Sequence, residues 1–208
     1  TVWVWLAGGR RRGSLSMPHA SLADLGWAPV FADQVTAEEL PEYVPARVVA
    51  AHKTAYELAG EPGLFSGVLA GKLLREVEET RDLPVAGDWV LAKPPAGGPA
   101  VIVRRLERRT ELARRRPLDR ASHRTSAARQ VLASNLDFVF VVTSLDQDLS
   151  PARLERALAL VWSGGATPVV LLSKADLCAD PDAEQIALGS VTCGVDVHVL
   201  STVAGLGL

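Results

Sequence analysis

The chain has 208 residues, 48% of them hydrophobic and 22% charged, with a formal net charge of −2 at neutral pH. That balance reads as soluble and globular, with one large domain or two small ones able to bury a core. No apolar run approaches the roughly 20 residues that span a bilayer as a helix, and two cysteines, Cys178 and Cys193, exclude a disulfide framework and a zinc site.

The chain opens on "TVWVWLAGGRRRGSLS", whose apolar stretch precedes its arginines, the reverse of a secretory signal. It reads as a non-native or misassigned leader ahead of Met17, with a disordered arm as the alternative, so residues 1–43 are expected as leader and N-terminal arm. From 44 to 107, five short strand-like runs follow: 44–52, 54–60, 64–73, 87–93 and 100–107. Gly60, Pro62-Gly63, Pro84, Gly87 and the 94–99 stretch punctuate them. Five short strands in this space predict a small closed barrel of the OB type, since closure removes edges, with an SH3-like barrel as the rival. Trp89 in "GDWV" is expected in the barrel core rather than as a stacking platform for bases.

Net charge conceals an asymmetry. Between Arg104 and Arg129 there are ten arginines against Glu107, Glu111 and Asp119, an excess of seven positive charges, so the rest of the chain carries nine negative ones. Residues 108–133 are expected as an arginine-rich linker. Arg104, Arg105, Arg108, Arg109, Arg114, Arg115, Arg116, Arg120, Arg124 and Arg129 are candidate RNA contacts, because guanidinium groups neutralise phosphates and stack on bases. A solvated charged linker is the alternative.

From 134 onward the pattern alternates between strand and helix. "LDFVFVVTSLD" (136–146) is a nearly continuous apolar strand, of the kind a sheet covered on both faces needs. Ser150 as N-cap, Pro151 at the first helical position and Gly164 as a stop frame a helix over 150–165. A strand at 168–173, a helix near 181–189 and a strand at 195–200 complete a βαβαβ series, hence a parallel sheet with ligand loops at the carboxyl ends of its strands.

Two loops fall at those ends, Ser173-Lys174-Ala175-Asp176 and Ser201-Thr202-Val203. An aspartate in the plane of guanine offers two acceptor oxygens to N1–H and N2–H₂, a donor pair adenine lacks, while a lysine stem can cover the base face. The plainer reading is a solvated turn whose aspartate starts the next helix. No G-x-x-x-x-G-K-[ST] phosphate loop occurs in the 208 residues.

At this point the chain resembles the circularly permuted ribosome-assembly GTPases of the RsgA (YjeQ) type. The matching stretches are "LPVAGDWVLA" (83–92), "AARQVLASNLDFVFVV" (127–142), "RLERALALVWSGGATPVVLLSKADL" (153–177) and "VHVLSTVAGLGL" (197–208). The resemblance covers roughly residues 44–208 and implies an OB-like barrel followed by a partial α/β GTPase domain (134–208) in circularly permuted order. It implies that the guanine loops come first, with the phosphate loop, the switch segments and a zinc-binding tail expected after residue 208. By resemblance Ser173, Lys174, Asp176, Ser201 and Thr202 form the guanine site. Two departures stand out: Ser173 where the family usually has Asn, and Thr202 where Ala is usual. The resemblance further implies GTP hydrolysis with Mg²⁺, GTP and GDP as ligands, and the small ribosomal subunit with its 16S rRNA as partner. It also implies a cytoplasmic monomer with no membrane contact. No catalytic residue and no metal ligand is named in this chain, and a non-enzymatic RNA-binding module is the rival reading.

Overall fold

The computed structural model describes residues 3–5, 21–52, 55–76, 83–94, 97–115, 129–146 and 149–207. They fall into two compact units, one made of 1–9 with 136–208 and the other of 10–135.

The second unit is built on a closed barrel. Its strands are β2 (Val44–Ala51), β3 (Tyr56–Gly60), β4 (Gly63–Leu69), β5 (Trp89–Lys93) and β6 (Ala100–Arg105), closing in the order β2-β3-β4-β6-β5. All neighbours are antiparallel except β4 and β6, which pair in parallel, so the chain closes an OB-like barrel. Alternation along the strands sends Ala46, Val48, Tyr56, Leu58, Val90, Ala92, Ala100 and Ile102 into one buried cluster. A short helix, α2 (Gly71–Glu76), follows β4.

Strand β5 is buried on both faces, and its other face explains Trp89. Trp89 is fully buried, yet it belongs to a second cluster with Phe31, Leu91 and Leu106, against which Leu22, Leu25, Trp27, Val35 and Tyr43 pack. Trp27 meets Trp89 edge to face with ring centroids 4.7 Å apart. The expected barrel-core tryptophan is therefore core to the unit but lies outside the barrel, under the 21–43 segment and its one-turn helix α1 (Pro29–Ala32). Residue parity is the cause: Val90 and Ala92 occupy the interior positions, so Trp89 and Leu91 must face the other way.

The stretch read as an arginine-rich linker is instead paired at both of its described ends. Strand β7 (Glu111–Arg115) runs antiparallel to β8 (Arg129–Ser134), with Arg115 opposite Arg129. Between the barrel and this ribbon lies a buried charge. Asp88 has no solvent exposure and receives Arg108 through both carboxylate oxygens at 2.7 Å, together with Val85 N–H at 2.8 Å and the Ser134 hydroxyl. Burial works against the Arg108 charge, but the hydrogen bond and the charge of Asp88, helped by Glu111, outweigh it and hold the guanidinium above its ordinary pKa. Arg108 is 9% exposed and serves as the countercharge without which Asp88 would be a buried, unpaired carboxylate, so of the candidate RNA contacts it is one turned inward. Gly87, at φ 94°, lets the 83–88 turn approach β8: a Cβ there would stand 2.0 Å from the Ser134 carbonyl oxygen.

In the first unit a four-stranded sheet runs in the order β1 (Trp3–Trp5), β9 (Phe138–Ser144), β10 (Thr167–Ser173), β11 (Asp196–Val199). Strands β9, β10 and β11 are mutually parallel, as the βαβαβ pattern predicts. Helix α3 (Pro151–Ser163) buries Leu154, Leu158 and Val161, spaced i, i+4, i+7, and packs on β9 and β10. Ser150 holds the N-cap position without a side-chain bond, and the helix stops at Gly164 as expected, with the left-handed residue following at Gly165. Helix α4 (Pro181–Ala187) is capped by Asp180, which accepts from Ala183 N–H at 3.0 Å, and it packs on β11. β9 alternates buried and half-buried positions, with Phe138 62% exposed, so its second face is less covered than its apolar run predicts.

The amino-terminal reading also changes. Trp3–Trp5 forms strand β1, antiparallel to β9, with Trp3 opposite Val142 and Trp5 opposite Phe140. Three β-favouring residues beside an apolar strand edge account for the pairing; most of the remaining leader lies outside the described residues. No helix among the described residues is long and apolar enough to cross a membrane.

The Asp88–Arg108 pair generates a stability prediction. Asp88→Ala leaves a buried guanidinium without its carboxylate and should cost about 3–5 kcal/mol, read from urea unfolding. A loss below about 1 kcal/mol would show that Asp88 is not the anchor between barrel and ribbon.

Candidate functional site

β10 ends at Ser173, and the chain then turns sharply because Lys174 adopts a left-handed conformation, φ 59° and ψ 40°. A single 3-10 turn, Ala175–Leu177, follows, closed by Leu177 N–H to the Lys174 carbonyl at 3.0 Å. Left-handed backbone is costly for a residue with a Cβ, so the surrounding contacts must hold it. Ala175 supplies one: it is buried, and its N–H donates to the Leu200 carbonyl at 3.2 Å, which ties this loop to the one that follows β11.

The second loop is closed by a bridge between Ser201 and Leu206, with N–H to carbonyl distances of 2.9 and 3.0 Å in the two directions. The Ser201 hydroxyl donates to Asp176 Oδ1 and accepts from Ala204 N–H at 3.1 Å. One hydroxyl thus joins both loops. Ser201 has no solvent exposure, and its hydroxyl braces Asp176. Asp176 itself is exposed, and a carboxylate has about four lone-pair sites, so the Ser201 bond leaves acceptor capacity on both oxygens. Thr202 is exposed beside the buried Ser201, where its backbone N–H follows the bracing residue directly.

Ser173 also braces. Its hydroxyl donates to the Thr143 carbonyl at 3.0 Å, joining the ends of β10 and β9. The Lys174 ammonium reaches Asp146 Oδ2 at 2.8 Å, and Ser144 donates to Asp146 Oδ1 at the same distance. Asp146 was not among the sequence candidates. The signal was present but faint: the parallel register places Ser144 opposite Ser173, so an acid two residues beyond one strand end meets a lysine one residue beyond the other. Of the five residues predicted to form the guanine site, the structure brings Lys174, Asp176, Ser201 and Thr202 to one end of the sheet, with Ser173 behind them.

The arginines divide. Arg104 holds Glu39 through Nε and Nη2 and donates to the Gln34 carbonyl at 2.9 Å, which fastens the 21–43 segment to β6. Arg105 is half-buried, with a bond to the Leu106 carbonyl at 3.2 Å. Arg109 and Arg114 are exposed, and exposed Arg129 pairs with Glu111. The side chain of Arg115 and all of Arg116, Arg120 and Arg124 lie outside the described residues.

Residues 106–208 match the family model described as RsgA GTPase. A protein of Syntrophotalea carbinolica named "Small ribosomal subunit biogenesis GTPase RsgA" is 34% identical over 189 residues, covering 90% of this chain and 52% of that protein. The chain belongs to the RsgA GTPase family. Its fold is also that of two solved structures. YjeQ from Thermotoga maritima aligns with a TM-score of 0.59 at 19% identity, covering 79% of this chain and 54% of that one. YloQ, described as a circularly permuted GTPase, aligns with a TM-score of 0.53 at 22% identity, covering 77% and 52%. This RsgA-family chain spans about half the length of the curated relatives it matches.

The second loop depends on its glycines. Gly207 sits at φ 69°, and a Cβ there would lie 2.4 Å from the Val199 carbonyl oxygen, whereas Gly205 at φ 67° faces open space. Gly207→Ala should therefore cost about 1–3 kcal/mol locally and speed hydrogen exchange at the Ser201 and Leu206 amides. Gly205→Ala should do so less, and equal effects would remove the close approach as the cause.

Proposed function

We propose that this chain supplies the guanine-reading part of a GTPase that acts in late maturation of the small ribosomal subunit, and that its OB-like barrel unit binds 16S rRNA. The observation that carries the nucleotide reading is the Ser201 hydroxyl on Asp176, which orients one carboxylate from two loops. Held so, Asp176 accepts from guanine N1–H and N2–H₂, the Lys174 stem lies on the base face, and the Thr202 N–H donates to O6. Adenine offers an acceptor at N1 and no exocyclic donor at C2, so it leaves Asp176 unpaired.

Hydrolysis of the γ-phosphate by water belongs to groups around the phosphates. Among the described residues there is no group of three or more His, Cys, Asp or Glu that could share a metal ion. The role proposed for these two loops is to bind the base. The phosphate loop, Mg²⁺ site and zinc-binding tail are assigned to the part of the protein that follows these residues in the permuted order. The family name carried by the relatives supports the small subunit as partner, and a cytoplasmic monomer is the form proposed.

The RNA reading rests on the ribbon. The register places Arg115 opposite Arg129 across β7 and β8, and Arg114 and Arg129 are exposed, so the ribbon presents basic residues to solvent. Glu111 offsets only part of that charge. Phosphates of structured RNA complete the neutralisation.

Two measurements test this. In the full-length protein, Asp176→Asn opposes an amide donor to guanine N2–H₂ but offers it to the carbonyl of xanthine, so GTP preference should give way to XTP preference. An unaltered GTP-to-XTP binding ratio in a folded variant would take Asp176 out of the site. Replacing Arg114, Arg115 and Arg116 together by Glu should weaken 16S rRNA binding and reduce the slope of log affinity against log salt by about 0.9 for each phosphate no longer neutralised. An unchanged slope would leave these arginines as a solvated surface.

A further inference from the structure

We propose that Asp146 is a positioning residue for Lys174, holding its side chain in place before a guanine nucleotide arrives. The inference rests on the guanine reading above and adds to it a residue from a third loop, the one that follows β9.

Three separate constraints converge on Asp146. Parallel pairing carries β9 and β10 to the same depth, with Ser144 opposite Ser173, and the Leu145 N–H extends the ladder to the Ser173 carbonyl at 2.8 Å. The backbone before Asp146 is thereby fixed against the backbone before Lys174. Ser144 then holds one oxygen of Asp146 at 2.8 Å, and Lys174 takes the other at 2.8 Å. Both carboxylate oxygens are engaged, so the aspartate is oriented from below and the lysine is oriented by it.

Stability is a poor explanation for this arrangement. The Lys174 side chain is 54% exposed and that of Asp146 27% exposed, and ion pairs of this kind contribute little to folding. The pair matters more for binding. A free lysine side chain samples many rotamers, and ordering it at the moment of binding costs affinity. With its ammonium anchored on Asp146, the lysine has its stem laid out in advance beside the strand end, in the same loop as Asp176. Asp146 makes no contact with the base edge in this scheme, so it tunes how tightly a nucleotide is held and leaves the choice of base to Asp176.

The test is a double-mutant cycle in the full-length protein, with mant-labelled GDP as the probe. Asp146→Asn should weaken binding about three- to fivefold, the range open to an exposed charge pair, mainly through faster dissociation. In a Lys174→Met background the same change should cost less than about 1.5-fold, since there is no ammonium left to hold. Asp146→Glu should recover most of the loss, and Ser144→Ala, which frees one oxygen but keeps the charge, should give a smaller loss in the same direction. The GTP-to-XTP ratio should stay as in the wild type for each Asp146 variant. Equal losses in both backgrounds, or no loss from Asp146→Asn, would overturn the proposal. Asp176→Asn separates the two failures: if it leaves base preference unchanged, the guanine reading falls and this inference with it, whereas a changed preference without Asp146–Lys174 coupling removes this inference alone.

Discussion

The parallel register of β9, β10 and β11 is the constraint on which the site depends. Because the three strands run the same way, their carboxyl ends lie at one edge of the sheet, and every loop that leaves them starts there. Ser144 opposite Ser173 aligns the first two ends, and the Leu200 N–H on the Leu172 carbonyl aligns the third. Short side chains then do what the backbone cannot. Ser173 ties the end of β10 to β9 through the Thr143 carbonyl, Ser144 holds Asp146 in the loop it begins, and Ser201 joins its own loop to Asp176. Asp176 is exposed, and the buried Ser201 holds one of its carboxylate oxygens from behind.

The other unit solves a different electrostatic problem. Its arginine excess is divided between groups turned inward and groups turned outward. Arg108 and Arg104 are held by Asp88 and Glu39, and they fix the barrel to the β7–β8 ribbon and to the 21–43 segment. Asp88 is fully buried and accepts from four groups, Val85, Ser134 and two nitrogens of Arg108, which is the degree of satisfaction a buried carboxylate requires. Arg109, Arg114 and Arg129 stay exposed. A basic segment can thus hold both inward structural charges and outward ones, and its sequence does not say which arginine is which.

Much of the fold was legible because its signals are local. Alternation over five short strands announced the barrel, and the helical spacing of Leu154, Leu158 and Val161 announced α3. That Lys174 and Asp176 lie in a loop at the end of a strand was legible from the apolar run before them. What was not legible depends on pairings distant in sequence. Asp146 meets Lys174 across 28 residues and Asp88 meets Arg108 across 20, and neither pairing leaves a periodic trace. Trp89 was read as barrel core, but parity with Val90 and Ala92 puts it on the other face of β5, where the 21–43 segment covers it. The complete burial of Ser201 and its bond to Asp176 depend on the fold of both loops and leave no trace in the sequence.

The central claim is that the loops after β10 and β11 form one guanine-reading surface. The most direct measurement is an amide NMR titration of the isotopically labelled chain with GDP and, separately, with ADP. The account predicts that GDP shifts the amides of 174–177 and 201–204 together, with a common binding curve, while ADP at the same concentration leaves them in place. Equal shifts with ADP, or GDP shifts confined to residues outside those two loops, would contradict it.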